Sequence, residues 1–481
     1  MNLCRSFYIT KKQYPNVFPQ LLELCHLGKN LYNQMLYYWY RWYDVYEKSL
    51  SFFDFCWMFK RIQKPFDNYR KIQKIMGTKT SDYSLQMYNG SIQSYFKGLK
   101  EFYKNPHKFK RKPNSPRYIK QYYFYFVTGI SKCDENGLIR FLPMKNKDLQ
   151  IQIPKHQWFE EMRKDTKSNN KIYRKIKQTR FYYVKKNIIR IEIIYEKEEK
   201  PLMEKNDNVI GIDLGVNNLA AIVSNKISPI LIDGRVIKSV NHKYNKESSL
   251  YKSKLKKCSI NKNESGNYIN GDKSNHLDNL IFKRNNKIKS LMHKFSSYII
   301  DLCIENNITT IIVGKNKGWK NKSNMGKRNN QNFVQIPFDK FISMIEYKSK
   351  LQGIKFIETE ESYTSKTDNM MLEYLYKYLG KDNKYNEFPP KDYKFIGKRP
   401  KRGYFISSNG KLINADINAG IGILRKKLGD GIVKDIINPY NPKKLTIQDI
   451  EKVVPNSVKG EGDTSSNQGL LRFMNKINTK S

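Results

Sequence analysis

Paired cysteines are missing from this chain of 481 residues. The six cysteines it has, Cys4, Cys25, Cys56, Cys133, Cys258 and Cys303, form no CxxC pair. That spacing excludes a zinc ribbon and a dense disulfide framework, and it fits reduced thiols inside a cell. Long apolar runs are missing too, so no segment is expected to cross a bilayer. The opening residues, MNLCRSFYITKKQ, have no apolar stretch of the kind a signal peptide needs. The expected location is the cytoplasm, and the wealth of Lys, Asn and Ile points to an AT-rich bacterial genome. Acid is scarce: 44 Asp and Glu stand against 89 Lys and Arg, for a formal net charge of +45. Such an excess repels itself unless a polyanion neutralises it, and a long phosphate backbone is the natural partner. An anionic membrane would call for a basic amphipathic helix or a lipidation motif, and neither is found.

What is present is organised in blocks. Residues 1–17 open with the alternation of a short strand. Residues 18–103 show helical spacing, with Leu21, Leu24, Leu31, Met35 and Trp39 on one face. The aromatic run from Tyr37 to Tyr43 wraps all round its helix, so part of it must face another helix or a partner. Residues 104–205 begin with an extended basic segment and continue as strands, in which Ile189, Ile191 and Ile193 keep a period of two. The segment FYKNPHKFKRKPNSPRYIKQYYFYF holds no acid but carries Lys104, Lys108, Lys110, Arg111, Lys112, Arg117 and Lys120. Its prolines keep it extended, and flanking aromatics suit it to track a phosphate backbone and stack bases. The bland alternative is a solvated linker.

From Val209 the order of elements becomes informative. VIGIDL, LAAIVS and PILID predict three short strands in an antiparallel meander. A Lys- and Asn-rich insertion near 235–275 follows, then an amphipathic helix through Ile288, Leu291, Phe295 and Ile299. ITTIIVG and IKFIET predict two more strands around a helix near 337–352, and a last helix starts near Asp416. Three antiparallel strands followed by alternating helices and strands is the RNase H arrangement, within an α/β multidomain chain. This block runs from 206 to 430, with a second insertion near 368–398. Residues 431–481 lack periodicity and are expected to be peripheral or disordered.

Cleavage of a phosphodiester by metal ions needs hard oxygen ligands drawn from distant elements. Asp213, between Ile212 and Leu214, is a costly residue in an apolar strand unless paired or metal-bound. Alone it reads equally as a turn aspartate beside Gly215. Asp416 opens a helix, where it reads equally as an N-cap. Glu358, Glu360 and Glu361 cluster at the end of IKFIET and repel one another unless a cation sits nearby.

In order along the chain stand GIDLGVNNLA, VGKNKGWK, NNQNFVQIPF, EYKSKLQGI, TEESYTSK, GKRPKRGYF and INADINAGIGILRK. Together they resemble the TnpB family of transposon-associated proteins and the compact type V CRISPR effectors related to it. The resemblance is strong over 206–428 and looser before it. It implies an RNA-guided DNA endonuclease with a C-terminal RuvC-like domain, an N-terminal helical recognition region and a β-barrel-like wedge region. It further implies a guide RNA and a double-stranded DNA target with a short flanking motif as partners, and two Mg²⁺ or Mn²⁺ ions as cofactors. By motif, Asp213 and Asp416 correspond to the first and last catalytic aspartates. The strand position that often supplies the glutamate holds Gly314, so the role passes to Glu361, with Glu360 its close rival. Relatives often carry cysteine pairs for zinc, whereas this chain has Asp368 and Met371 at the first pair, and no zinc is expected. Arg402 could hold a phosphate through a bidentate contact, or be a plain loop arginine. Two rivals remain at this point: a guide-directed DNA binder that does not cut, and an RNase H-like recombinase.

Overall fold

A computed structural model describes all residues except 62–67, 107–108, 110, 123, 129, 134–136, 142–149, 154–175, 259–273, 316–326, 379–384 and 454–481. The chain divides into two compact units, one running to Lys197 and one beginning at Glu198.

The first unit starts with strand β1 (Asn2–Thr10), followed by helices α1 (Val17–Tyr46), α2 (Phe52–Arg61), α3 (Asn68–Met76) and α4 (Thr78–Lys104). Strands β2 (Phe126–Thr128), β3 (Ile130–Cys133), β4 (Leu138–Phe141), β5 (Gln150–Gln152), β6 (Ile176–Lys185) and β7 (Ile188–Glu196) complete it. They form a four-stranded sheet in the order β1-β7-β6-β2 and a three-stranded sheet in the order β3-β4-β5. β1 pairs with β7 along its whole length, antiparallel, with Phe7 opposite Ile191 and Ile9 opposite Ile189. All four side chains are buried, as the period-two pattern requires. The aromatic run of α1 is divided as its all-round distribution demands: Trp39 is buried and stacks on Tyr43, while Tyr37 and Trp42 are exposed.

The second unit begins with β8 (Val209–Leu214), β9 (Asn218–Ser224) and β10 (Ile230–Asp233). Helices α5 (Arg235–Cys258) and α6 (Asn275–Glu305), strand β11 (Thr310–Gly314), helices α7 (Lys327–Gln335) and α8 (Phe338–Leu351), and strand β12 (Lys355–Thr359) follow. Then come the hairpin β13 (Tyr404–Ile406) and β14 (Leu412–Asn414), helix α9 (Ala415–Leu428), strand β15 (Lys443–Leu445) and helix α10 (Ile447–Val453). The main sheet has the order β12-β11-β8-β9-β10-β15. β8, β9 and β10 form the antiparallel meander, and β11 and β12 add in parallel beside β8. Sequential strands 3-2-1-4-5 with only the second reversed is the RNase H-like arrangement that the order of elements predicts.

Alternation along β8 decides which face carries chemistry. Ile210, Ile212 and Leu214 pack in one core with Phe295 and Ile299 of α6 and Phe341 and Ile345 of α8. Val209 belongs to the opposite core, with Ile417, Ile421 and Leu424 of α9. Gly211 and Asp213 share the parity of Val209 and therefore face α9. α9 approaches the sheet closely because glycines meet it. A Cβ at Gly211 would lie 2.6 Å from Leu424 Cγ, and one at Gly420 would lie 2.8 Å from Val223.

The Lys- and Asn-rich insertion after β10 begins with the 24-residue helix α5, whose polar composition hid its periodicity, while 259–273 lie outside the described residues. One expectation is corrected: the stretch after Asp430 is built into the fold as far as Val453. β15 pairs in parallel with β10, and Leu445 and Ile450 are buried. A three-residue strand and a seven-residue helix are too short to show a period. Residues 454–481 lie outside the described residues. Among the described residues, no helix is long and apolar enough to cross a membrane.

Candidate active site

Asp213 sits one residue from the end of β8, opposite Ala221 of β9, on the face covered by α9. Asp416 is the second residue of α9 but does not cap it. Asn414 is the N-cap, and its Oδ1 accepts from the N–H groups of Asp416 and Ile417 at 3.0 and 3.3 Å. The Asp416 carboxylate is thereby released from capping and accepts a hydrogen bond at 2.8 Å from Nδ2 of Asn218, which opens β9. Glu361 follows β12 and reaches back to the end of β11. A Cβ at Gly314 would stand 2.7 Å from Glu361 Oε2 and 2.5 Å from Ile423 Cδ1. The carboxylate of Glu361 therefore enters space that a side chain at position 314 would fill.

The electrostatics tie the three acids together. Burial, then the charges of Glu361 and Asp416, push the Asp213 carboxyl well above its usual range, and Arg399 offsets this only in part. Burial, then the neighbouring Glu360, push Glu361 up to about 7, against the pull of Lys426. Like charges crowded in a low-dielectric site raise one another's proton affinity unless a cation enters. Among the described residues, no group of three or more His, Cys, Asp or Glu side chains stands close enough together to hold a metal ion as they are placed. The donor chemistry nonetheless fits a hard divalent cation: carboxylate oxygens with mutual repulsion to relieve.

Glu360 is oriented differently. Its Oε2 accepts from the buried Lys426 Nζ at 2.5 Å and its Oε1 from the N–H of Ser362 at 2.5 Å. The same ammonium donates to the carbonyls of Ser362 and Tyr376 at 2.6 and 3.1 Å. Adjacent residues diverge, so one of the pair faces Asp213 and the other anchors a loop. Glu358, still on β12, forms an exposed ion pair with Lys315 at 3.2 Å.

Asp368 lies in a separate buried network. Ser407 Oγ donates to both its carboxylate oxygens at 2.9 and 2.8 Å, and the N–H of Ser408 donates at 2.7 Å. The N–H of Asp368 donates to Glu373 Oε2 at 2.6 Å, and Glu373 Oε1 accepts from Tyr393 and from the N–H of Ile396. Asn369 bonds the Asn418 carbonyl of α9 at 2.9 Å, and Arg425 joins Asn369, the Glu373 carbonyl and Asp430. Met371 Sδ accepts from Asn409 Nδ2 at 3.4 Å.

The basic residues fall in two places. Lys104 ends α4, and Arg111, Lys112, Arg117 and Lys120 are exposed on a strand-free, helix-free stretch of the first unit. That stretch is tethered to α1: the Asn33 side chain exchanges hydrogen bonds with the N–H and carbonyl of Ile119 at 2.8 and 3.0 Å. Lys112 stands over the ring of Tyr103. Lys108 and Lys110 lie outside the described residues. Arg402 lies in the second unit, lining a cavity of about 480 Å³ together with Asp416, Asn218, Arg399 and Arg235. Sequence reasoning missed Arg399, Asn218 and Lys426. All three stand inside motifs already quoted, GKRPKRGYF, GIDLGVNNLA and INADINAGIGILRK, and only their place beside the acids marks them.

Strand order and acid placement thus define an RNase H-like unit with a crowded carboxylate centre. Comparison with known families is more specific. Residues 192–320 match the model of the OrfB_IS605 probable transposases, and residues 338–423 match that of the Cas12f1-like TNB domain. Over these two segments the chain is similar to those two families. No curated protein matches it. Among solved structures it is similar to Cas12f1 in a complex with single guide RNA and target DNA. The identity is 16% and the TM-score 0.48, over 87% of this chain and 85% of that one. It is also similar to the mini-RNA-guided endonuclease CRISPR-Cas phi3, at 11% identity and TM-score 0.39, over 92% and 93% of the two chains.

Proposed function

We propose that this chain is an RNA-guided DNA endonuclease whose cleaving centre is Asp213, Glu361 and Asp416. One observation carries the reading: Asp213, on the face of β8 that α9 covers, has Glu361 and Asp416 beside it, and burial followed by their charges raises its carboxyl. A purely structural acid is paired with donors, as Asp368 is; acids that face one another await a cation. The match to OrfB_IS605 and TNB models supports the same reading. So does the charge of +45, which suits a guide RNA and a DNA duplex held together. The duplex target would carry a short flanking motif, and base pairing would supply its sequence specificity.

Asp213, Glu361 and Asp416 would hold Mg²⁺ or Mn²⁺, which when bound supplies an activated water and stabilises the leaving oxygen. Asn218 fixes the rotamer of Asp416, Asn414 frees it from capping, and α9 presses both against β8. Lys426 holds Glu360 back from the centre. Zinc is not expected, because the environment of Asp368 and Met371 is a hydrogen-bonded network. A non-cutting DNA binder would have no use for two acids crowded against Asp213. Asp213→Ala should abolish cleavage of a guided target in Mg²⁺ while leaving guide and target binding intact. Wild-type cutting by that variant would refute the assignment.

A further inference from the structure

Glu361 and Asp416 belong to different elements, the turn after β12 and the first turn of α9. Their relative placement is set by whatever fastens that turn to the helix. One face of α9 carries Asn418, Gly422 and Lys426, at helical steps of four. The face spans about 12 Å of helix axis at the usual rise, and the segment from Glu360 to Asn369 is seated on it. At one end Asn418 Nδ2 donates to the Thr367 carbonyl at 2.8 Å. The N–H and Nδ2 of Asn369 donate to Asn418 Oδ1 and to its carbonyl, at 3.2 and 2.9 Å. In the middle, a Cβ at Gly422 would stand 2.7 Å from Asn369 Oδ1 and 2.9 Å from Thr364 Cβ. The segment therefore rests directly on the helix backbone.

Lys426 closes the other end. An ammonium has three N–H donors, and this one meets three acceptors. They are Glu360 Oε2 at 2.5 Å and the carbonyls of Ser362 and Tyr376 at 2.6 and 3.1 Å. The Lys426 side chain is only 3% exposed. A buried cation is costly unless it is paired and fully hydrogen-bonded, so its place is closely determined. Two of its acceptors belong to the residues on either side of Glu361. Thr364 Oγ1 donates to the Glu361 carbonyl itself at 2.8 Å. The N–H of Tyr378 donates to Ser362 Oγ at 2.9 Å and ties the next stretch of chain to the same turn.

We propose that Lys426 is a positioning residue for the cleaving centre. Gripping the residues before and after Glu361, it fixes that carboxylate relative to α9, whose other end carries Asp416. Its role is then in how the acids receive a cation, beyond keeping Glu360 aside. The cation rests on the nuclease reading; the seat on α9 rests on the hydrogen bonds. Asp368 provides a built-in contrast. It lies on the same segment, but its side-chain donors, Ser407 and Ser408, come from the loop between β13 and β14 and not from α9. Its loss should loosen the region without moving Glu361.

The test titrates Mn²⁺ into full-length proteins freed of nucleic acid and follows the paramagnetic resonance signal of the free ion. Sites present in the wild type and missing from Asp213→Ala are counted as those of the centre. Lys426→Met is close in length and has no donor. It should raise the half-saturating Mn²⁺ concentration roughly 10–100-fold, the usual cost of losing a group that orients a ligand. Asp368→Ala should melt earlier and keep the wild-type value. Gly422→Ala keeps every donor but lifts the segment off the helix. It should shift the value in the same direction as Lys426→Met, and it carries the test if Lys426→Met does not fold. A wild-type value in Lys426→Met, or in Gly422→Ala where that variant stands in, would overturn the positioning role and leave the nuclease reading intact. An equal shift in Asp368→Ala would also overturn it, because general loosening would then suffice. Equal Mn²⁺ binding by wild type and Asp213→Ala would sink the metal centre, and the role of Lys426 with it.

Discussion

Two groups of acids lie in the second unit, Asp368 and Glu373 buried and Asp213, Glu361 and Asp416 half-buried, and they are handled in opposite ways. Asp368 and Glu373 have protein donors on both carboxylate oxygens, supplied by Ser407, Ser408, Tyr393 and the N–H groups of Asp368 and Ile396. Asp213 feels two other acids, offset by the guanidinium of Arg399. The first group is complete without a ligand and ties loops to α9 through Asn369 and Asn418. On the proposed reading, the second is completed by an arriving cation. Burial alone therefore does not mark a site; the source of compensation does.

The largest effect that would sharpen this contrast is catalytic. Asp416→Ala or Asp213→Ala should lower guided DNA cleavage on the order of 10³-fold or more, with target binding nearly unchanged in a mobility-shift assay. Asp368→Ala should behave the other way round. It strands the Ser407 hydroxyl and the Ser408 N–H, at a cost of about 2–4 kcal/mol. Thermal melting should fall by roughly 2–4 °C per kcal/mol, and adding Mg²⁺ should not restore it. A melting point equal to wild type would show that the network is not what holds this region.

A smaller effect is in pH. Glu361 is raised from its ordinary value to about 7, so between those values the native chain binds more protons than the unfolded one. Stability then falls as pH rises through that window, and the penalty is fully present above about 7. In chelator, wild-type protein should lose about 1–2 kcal/mol between pH 5 and 7.5 relative to Glu361→Gln, measured by denaturant titration. Equal pH profiles in the two proteins would mean the carboxyl is not crowded. The smallest effect concerns the first unit. Arg117→Ala or Lys120→Ala should each reduce the salt slope of guide RNA binding by about 0.7, without altering the cleavage rate of a saturated complex.

The sequence made the core of this account legible where pattern and chemistry coincide. β8, β9 and β11 are apolar runs bounded by turn residues, and Asp213 stands out within the first of them. Asp416 was ambiguous because a helix-opening aspartate is a good cap; in space Asn414, two residues earlier, takes that role. Glu360 and Glu361 could not be separated in one dimension, since the turn after β12 decides which carboxylate meets Lys426 and which enters the space beside Gly314. α5 escaped because a helix that is polar on most sides has a weak period, and β15 because three residues have none. The Asp368 network is assembled by bonds between residues up to 56 positions apart, through Ser, Asn, Tyr and Arg side chains that carry no signature in sequence.

The claim that relocation, and not loss, of the third acid completes the centre is tested most directly by a pair of isosteric variants. Glu361→Gln and Glu360→Gln, each loaded with guide and assayed on the same duplex in Mg²⁺ and in Mn²⁺, differ only in which carboxylate loses its charge. The account predicts that Glu361→Gln cuts at least about 100-fold more slowly in both metals. Glu360→Gln should keep near wild-type cleavage, with a lower melting point from the stranded Lys426. Normal cutting by Glu361→Gln, whatever Glu360→Gln does, would contradict it.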